Sequence, residues 1–236
     1  MTARPRPGGR IAAFATSVDP HCGLRNEGIG VRATGFETIS PTTLADVLGH
    51  EQVMDIGIRP LWSSMPRVAG PAFTVRCPPG DNLMLHAAIY RAAPGSIIVV
   101  EAGDVDYAVA GGNVCAVAQR RGIAAFVVDG VIRDVREARE MAFPVFARGV
   151  IPIPGAKTAV VPLNVPVRCG GVEVDAGDVV VADEEGIVVV PSARLDQVLQ
   201  TANAKVAKEA DESLDAWEAA HRSRIERILA DGGFAG

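Results

Sequence analysis

The chain has 236 residues, 48% of them hydrophobic and 22% charged, which is enough for one sizeable core. A net charge of −5, with no extended basic run, gives no electrostatic support for nucleic acid or an anionic membrane as partner. Four scattered cysteines (Cys22, Cys77, Cys115, Cys169) form no CxxC pair, no apolar stretch approaches the ~20 residues of a membrane span, and no signal core follows the basic N-terminus, so the reading is a reduced, cytoplasmic protein.

In chain order, residues 1–10 carry Pro, Gly and Arg with little to bury and are expected to be disordered. Residues 11–34 complete an N-terminal extension suited to docking on a neighbouring subunit. Ser40 caps a helix through Leu48, with Pro41 at its first position and Gly49 at its end. Residues 70–76 read as a strand. Residues 82–92 read as a helix with Leu83, Ala87 and Tyr90 inward. His86 on that helix reads as a satisfied or exposed histidine, because no second His or Cys stands at ligand spacing. Residues 96–100 form a buried strand closed by a turn holding Asp104 and Asp106.

Residues 110–134, AGGNVCAVAQRRGIAAFVVDGVIRD, are the centre of the reading. A Gly-Gly turn opens a short helix marked by Val114, Val117 and Ala118, and Gly122 ends it. Residues 123–128 form a buried strand, and Asp129-Gly130 reads as a turn. If helix and strand pack side by side, the N–H groups around Gly112, Asn113 and Val114 face the guanidinium of Arg133. Helix N-termini attract anions, because their first N–H groups lack partners and the dipole is positive there. Arg adds a planar fork matched to a carboxylate, and Asp134 is an oxygen ligand suited to a hard divalent cation. Beyond it, residues 135–141 form a helix and 144–147 a strand. Residues 160–190 alternate Val-rich strands with Gly turns, an antiparallel pattern. Residues 192–230 are helical, with Leu195, Val198 and Leu199 on one face and a charged later part suited to bridging subunits. The division is an extension over 1–34, an α/β core over 35–200 and a C-terminal helical segment over 201–236.

Gly130-Val-Ile-Arg-Asp134, with the RRGI-AAFVVD strand before it, resembles the family of 4-hydroxy-4-methyl-2-oxoglutarate / 4-carboxy-4-hydroxy-2-oxoadipate aldolases. That family also contains the regulator of ribonuclease activity A. Thr43-Leu-Ala-Asp-Val-Leu48, Ala69-Gly-Pro-Ala-Phe-Thr-Val75, Pro94-Gly95 and Ala182-Asp-Glu-Glu-Gly-Ile-Val-Val-Val-Pro191 extend the likeness over roughly residues 39–200. It implies the swivelling β/β/α domain of that family and a homotrimeric ring, or a hexamer of two stacked rings. It also implies a small 2-keto acid substrate, with Arg133 holding its carboxylate and Asp134 helping to hold Mg²⁺ or Mn²⁺. Main-chain N–H groups of Asn113, Val114 and Cys115, beside Gly112, complete the carboxylate site. Glu209 matches a carboxylate contributed from an adjacent subunit.

Gly112 departs from the pattern, because the aldolases usually place Asp or Glu there; Asn113, Asp104 and Asp106 are the nearby oxygen donors that could replace it. Lys157, Lys205 and Lys208 are the only lysines and all lie outside residues 110–134, so a Schiff-base route has no support. Three readings follow: a divalent-metal lyase releasing pyruvate by retro-aldol cleavage or decarboxylating oxaloacetate, a protein-binding regulator of the ribonuclease-inhibitor type, and a catalytically silent oligomer. The intact Arg133-Asp134 pair favours the lyase, since a protein-binding surface has no evident use for a carboxylate beside an anion fork.

Overall fold

The computed structural model describes residues 33–234, so the expectations for residues 1–32, Cys22 among them, lie outside it. The secondary structure follows local chemistry. Helix α1 (Pro41–Leu48) begins where the Ser40 hydroxyl accepts the Thr43 N–H at 3.1 Å and ends at Gly49, whose φ of 88° suits glycine. Strands β2 (Val68–Cys77), β3 (Ile97–Ala102), β4 (Ala125–Ile132) and β5 (Val145–Val150) are runs of branched and aromatic residues. They pair in parallel in the order β5-β4-β3-β2, and the two-residue β1 (Arg59–Pro60) closes the β5 edge antiparallel. Beyond β2 the sheet continues antiparallel through the hairpin β8 (Val179–Asp183) and β9 (Gly186–Val190), seven strands in all. A separate hairpin pairs β6 (Val167–Cys169) with β7 (Val172–Val174).

Both faces of the central strands are buried, as parallel strands require. Ile98, Val100, Phe126 and Val128 face helices α2 (Leu83–Ala88), α3 (Gly112–Arg120) and α4 (Val135–Glu140). Ile97, Val99, Ala125 and Val127 face the β6–β7 hairpin and the inner side of β8–β9. The outer side of β8–β9 is covered by α1 and by α5 (Leu195–Asp211) through Val198 and Ala202. This gives the expected α/β class. Among the described residues no helix is long and apolar enough to cross a membrane.

Three expectations need correction. Asp129-Gly130 is no turn: β4 runs through it with a register shift between Val128 and Val131. The Asp129 carboxylate pairs with Arg148 and accepts the Gly170 N–H at 2.8 Å. A Cβ on Gly130 would lie 2.5 Å from that of Ala102, so this glycine serves close packing within the sheet. The inward face of α2 is Met84, Leu85 and Ala88, one residue out of phase with the expectation. Tyr90 is 59% exposed and its ring packs under the Arg121 guanidinium at 5.2 Å. The C-terminal helix breaks at residues 212–213, where the Ser213 hydroxyl accepts the Ala216 N–H and starts α6 (Leu214–Asp231), which buries none of its residues. The first half of α5 packs on the sheet.

Candidate functional site

The carboxyl ends of parallel strands are where open α/β sheets place their ligands, and the chain puts its chemistry at that edge. Residues 108–110 lie beside the end of β4: the Val109 N–H donates to Val131 O at 3.0 Å and the Arg133 N–H to Ala110 O at 2.9 Å. The N-terminus of α3 is thereby fixed against residues 133–134. Asp134 adopts φ 54° and ψ 36°, the left-handed region that costs a non-glycine residue roughly 1 kcal/mol. That turn directs its side chain back over the Gly-Gly pair instead of capping α4. Its Oδ2 accepts the Gly112 N–H at 3.2 Å and stands 3.3 Å from Arg133 Nε. Bulk is excluded here, since a Cβ on Gly111 would come within 2.6 Å of Asp134 Oδ2 and 3.1 Å of Arg133 Nε.

Gly112 has a stricter neighbour. A Cβ built on it would overlap the Glu137 carboxylate and reach 2.9 Å from the Glu137 Cβ. Glu137, in the first turn of α4, therefore projects its carboxylate into the space that a side chain at position 112 would fill. Sequence reasoning missed it, although a signal exists: an acid three residues beyond Asp134, on the same helical start. Of the alternatives named for that role, Asn113 lies in the first turn of α3, while Asp104 is spent on the Gly80, Asp106 and Tyr107 N–H groups.

Asn113, Val114, Arg133 and Asp134 line one side of a small cleft, and Asn82, His86, Pro154 and Lys157 line the other. Four of these, Asn82, His86, Pro154 and Lys157, were not expected to belong to the site. Asn82 is 3% exposed. Its amide nitrogen donates to Ala108 O at 3.2 Å while its Oδ1 has no partner among the described residues. Because a carbonyl can only accept, the contact with Ala108 fixes which way the amide points. Burial and then the charge of Lys157 hold the His86 imidazole below its ordinary pKa, which favours the neutral ring.

The role expected of Cys115 does not hold. Its N–H donates within the helix to Gly111 O at 3.0 Å, and its side chain is fully buried, so it cannot serve a ligand. Burial, and after it the Asp134 and Glu137 carboxylates, push its thiol up to about 12, and a protonated thiol is no nucleophile. Glu209 does not line the cleft of its own chain; it pairs with Lys205 at 2.7 Å, and Lys205 also reaches Asp46 at 3.2 Å.

Two carboxylates of hard oxygen character, Asp134 and Glu137, thus stand about the N-terminus of α3 beside an arginine. They fit a divalent cation of the Mg²⁺ or Mn²⁺ kind, which keeps several waters and needs few protein ligands. Among the described residues no group of three or more His, Cys, Asp or Glu side chains is placed to hold a metal ion.

The family model "RraA-like: Aldolase/RraA" matches residues 41–189. A protein of Halalkalibacterium halodurans named "Putative 4-hydroxy-4-methyl-2-oxoglutarate aldolase" is 40% identical over 198 residues, covering 84% of this chain and 90% of its own. Among solved structures, an uncharacterized protein from Pseudomonas syringae pv. tomato has a TM-score of 0.68 at 29% identity, over 78% of this chain and 91% of its own. The RNA-processing inhibitor RraA from Thermus thermophilis has a TM-score of 0.59, also at 29% identity, over 64% of this chain and 92% of its own. The layered sheet with its flanking helices is accordingly the RraA-like fold, and the chain belongs to the RraA-like Aldolase/RraA family.

Proposed function

We propose that the protein is a divalent-cation-dependent lyase that cleaves a 4-hydroxy-2-keto acid to pyruvate by a retro-aldol reaction. The observation that carries this reading is the meeting of Arg133, Asp134 and Glu137 at the N-terminus of α3, opposite the open acceptor of Asn82. Asp134 and Glu137 hold the cation, which supplies Lewis-acid polarisation of the 2-keto group when bound. Arg133 orients the adjacent carboxylate through the part of its fork not turned to Asp134. His86 and Lys157 give the far end of the cleft a surface suited to a second carboxylate.

In the cleavage the 4-hydroxyl gives its proton to water in the open cleft, the C3–C4 bond breaks with its electron pair moving toward the 2-keto group, and a proton from water returns to C3 to give pyruvate. Asn82 Oδ1 is placed to accept from that hydroxyl before it ionises. A buried acceptor without a donor costs about 1–3 kcal/mol, so the cleft favours a ligand that brings one. This supports a hydroxylated substrate over oxaloacetate, whose keto form offers only acceptors at that position. The reading extends to a homo-oligomer, trimer or hexamer, in which Glu209 of the partner subunit completes the site. The wholly exposed helix α6, with Leu214, Trp217 and Ile228 on its surface, supports it.

The test is pyruvate release from 4-hydroxy-4-methyl-2-oxoglutarate and from oxaloacetate, with chelator and after adding back Mg²⁺ or Mn²⁺. Release that needs the cation and is faster with the hydroxylated acid is expected; release that survives thorough chelation would sink the reading. Arg133→Lys keeps the charge but loses the fork, and it cannot hold both Asp134 and a carboxylate. A loss of charge-assisted bonding worth ~1.5–3 kcal/mol lowers kcat/KM roughly ten- to a hundredfold. Steady-state kinetics at saturating cation checks this.

A further inference from the structure

Lys157 stands on an irregular segment. Residues 151–166 connect β5 to β6 without a strand or helix of their own, and residues 157–158 are exposed. What fixes them is the turn at residues 80–82, which also supplies Asn82 and launches the helix bearing His86. Two main-chain bonds join the segments: the Asn82 N–H donates to Ala156 O at 2.8 Å, and the Ala156 N–H to Gly80 O at 2.7 Å.

The rest of the attachment is a single carboxylate. Asp81 Oδ2 accepts the Thr158 N–H at 2.6 Å, the Thr158 hydroxyl at 2.8 Å and the Ala159 N–H at 3.0 Å, while Oδ1 accepts the Leu83 N–H at 2.8 Å. Asp81 is 6% exposed and does not line the cleft. Burial opposes its ionisation, but the four bonds prevail and hold the carboxyl at about 2. The anchor is therefore charged at any pH at which the protein would work.

We propose that Asp81 is a positioning residue for the candidate site, holding Lys157 over His86 and the far end of the cleft without touching substrate itself. The role of Lys157 in substrate binding rests on the lyase reading; its placement by Asp81 does not. A carboxylate suits the task because all four groups it meets are donors. In Asp81→Asn one oxygen becomes an NH₂ that confronts a main-chain donor, and the remaining oxygen loses its charge, so the hold on residues 157–159 weakens whichever way the amide points.

The test separates the two levels. His86 is a reporter that needs no turnover, because burial and then the nearby Lys157 charge lower its pKa. Its titration followed by NMR, assigned with His86→Gln, should move upward in Asp81→Asn and in Lys157→Gln, and in the double variant no further than in Asp81→Asn. The sign is decisive: deleting a negative charge near an imidazole would by itself lower the pKa, so a rise means that the segment bearing Lys157 has withdrawn its charge and its cover from the ring. A folded Asp81→Asn whose His86 titrates unchanged or lower overturns the proposal. Thr158→Val, which removes one of the four bonds, should give a smaller rise, and it decides the matter in the same way if Asp81→Asn does not fold.

In turnover, Asp81→Asn should raise KM for a 2-keto acid with a second carboxylate about tenfold, with kcat within about twofold. Inhibition by pyruvate, which has no second carboxylate, should stay unchanged. Loss of thermal stability with KM unmoved would show a merely structural carboxylate and overturn the proposal. A wild-type chain that cleaves no 2-keto acid would remove the lyase reading while the histidine titration still decides the role of Asp81.

Discussion

Asp134→Asn should abolish cation-dependent turnover while leaving the fold intact. The substitution is close to isosteric, and Asn is the residue after Gly that best tolerates the left-handed backbone found at position 134. Its amide oxygen can still accept the Gly112 N–H that Asp134 accepts at 3.2 Å. The side chain is 39% exposed, so little packing is disturbed and the melting temperature should hardly change. What is lost is one of two carboxylates about the α3 N-terminus, and cation affinity follows ligand charge and number. Losing several kcal/mol of transition-state stabilisation corresponds to roughly a thousandfold in rate. Isothermal titration with Mn²⁺ and pyruvate release at saturating cation are the two measurements. Full activity in Asp134→Asn would assign the carboxylate to structure and leave a protein-binding regulatory role the better account.

Local chemistry was easiest to read where one short segment decides the outcome. The Ser40 cap, Pro41 and Gly49 delimit α1, and unbroken Val and Ile runs mark the central strands. Arg133 and Asp134 were legible because they adjoin the helix that faces them. Asp129-Gly130 misled because the same dipeptide serves a turn or a strand irregularity. Only the pairing of Asp129 with Arg148 and the nearness of Ala102 to Gly130 distinguish the two. The wall made by Asn82, His86 and Lys157 was out of reach, since residues 82 and 157 meet through Asp81 and an irregular segment with no periodicity to follow. His86 carried no ligand spacing because its neighbour in space is a lysine from far along the chain.

The exchange between positions 112 and 137 gives the other large effect. Gly112 does not have positive φ, so its backbone accepts an L-residue, and the obstacle to Gly112→Asp is the side chain already there. An added Cβ overlaps the Glu137 carboxylate, and the Glu137 Cβ only 2.9 Å away leaves little room for adjustment. Glu137 must turn outward into solvent, and in doing so it leaves the site. If it stays, three carboxylates crowd around one helix N-terminus, and like charges at contact raise one another's pKa and weaken the fold. The single variant should therefore lose most activity and melt lower, with a cost of about 1–3 kcal/mol typical of overpacking. Gly112→Asp combined with Glu137→Ala should recover both stability and cation affinity, because one carboxylate again occupies that space, now reached from α3 instead of α4. Glu137→Ala alone should bind Mn²⁺ weakly. A double variant no better than either single change would show that Glu137 fills space at Gly112 without serving the cation. Strong coupling in the double-mutant cycle is the result expected of one carboxylate position reached from two places in the chain.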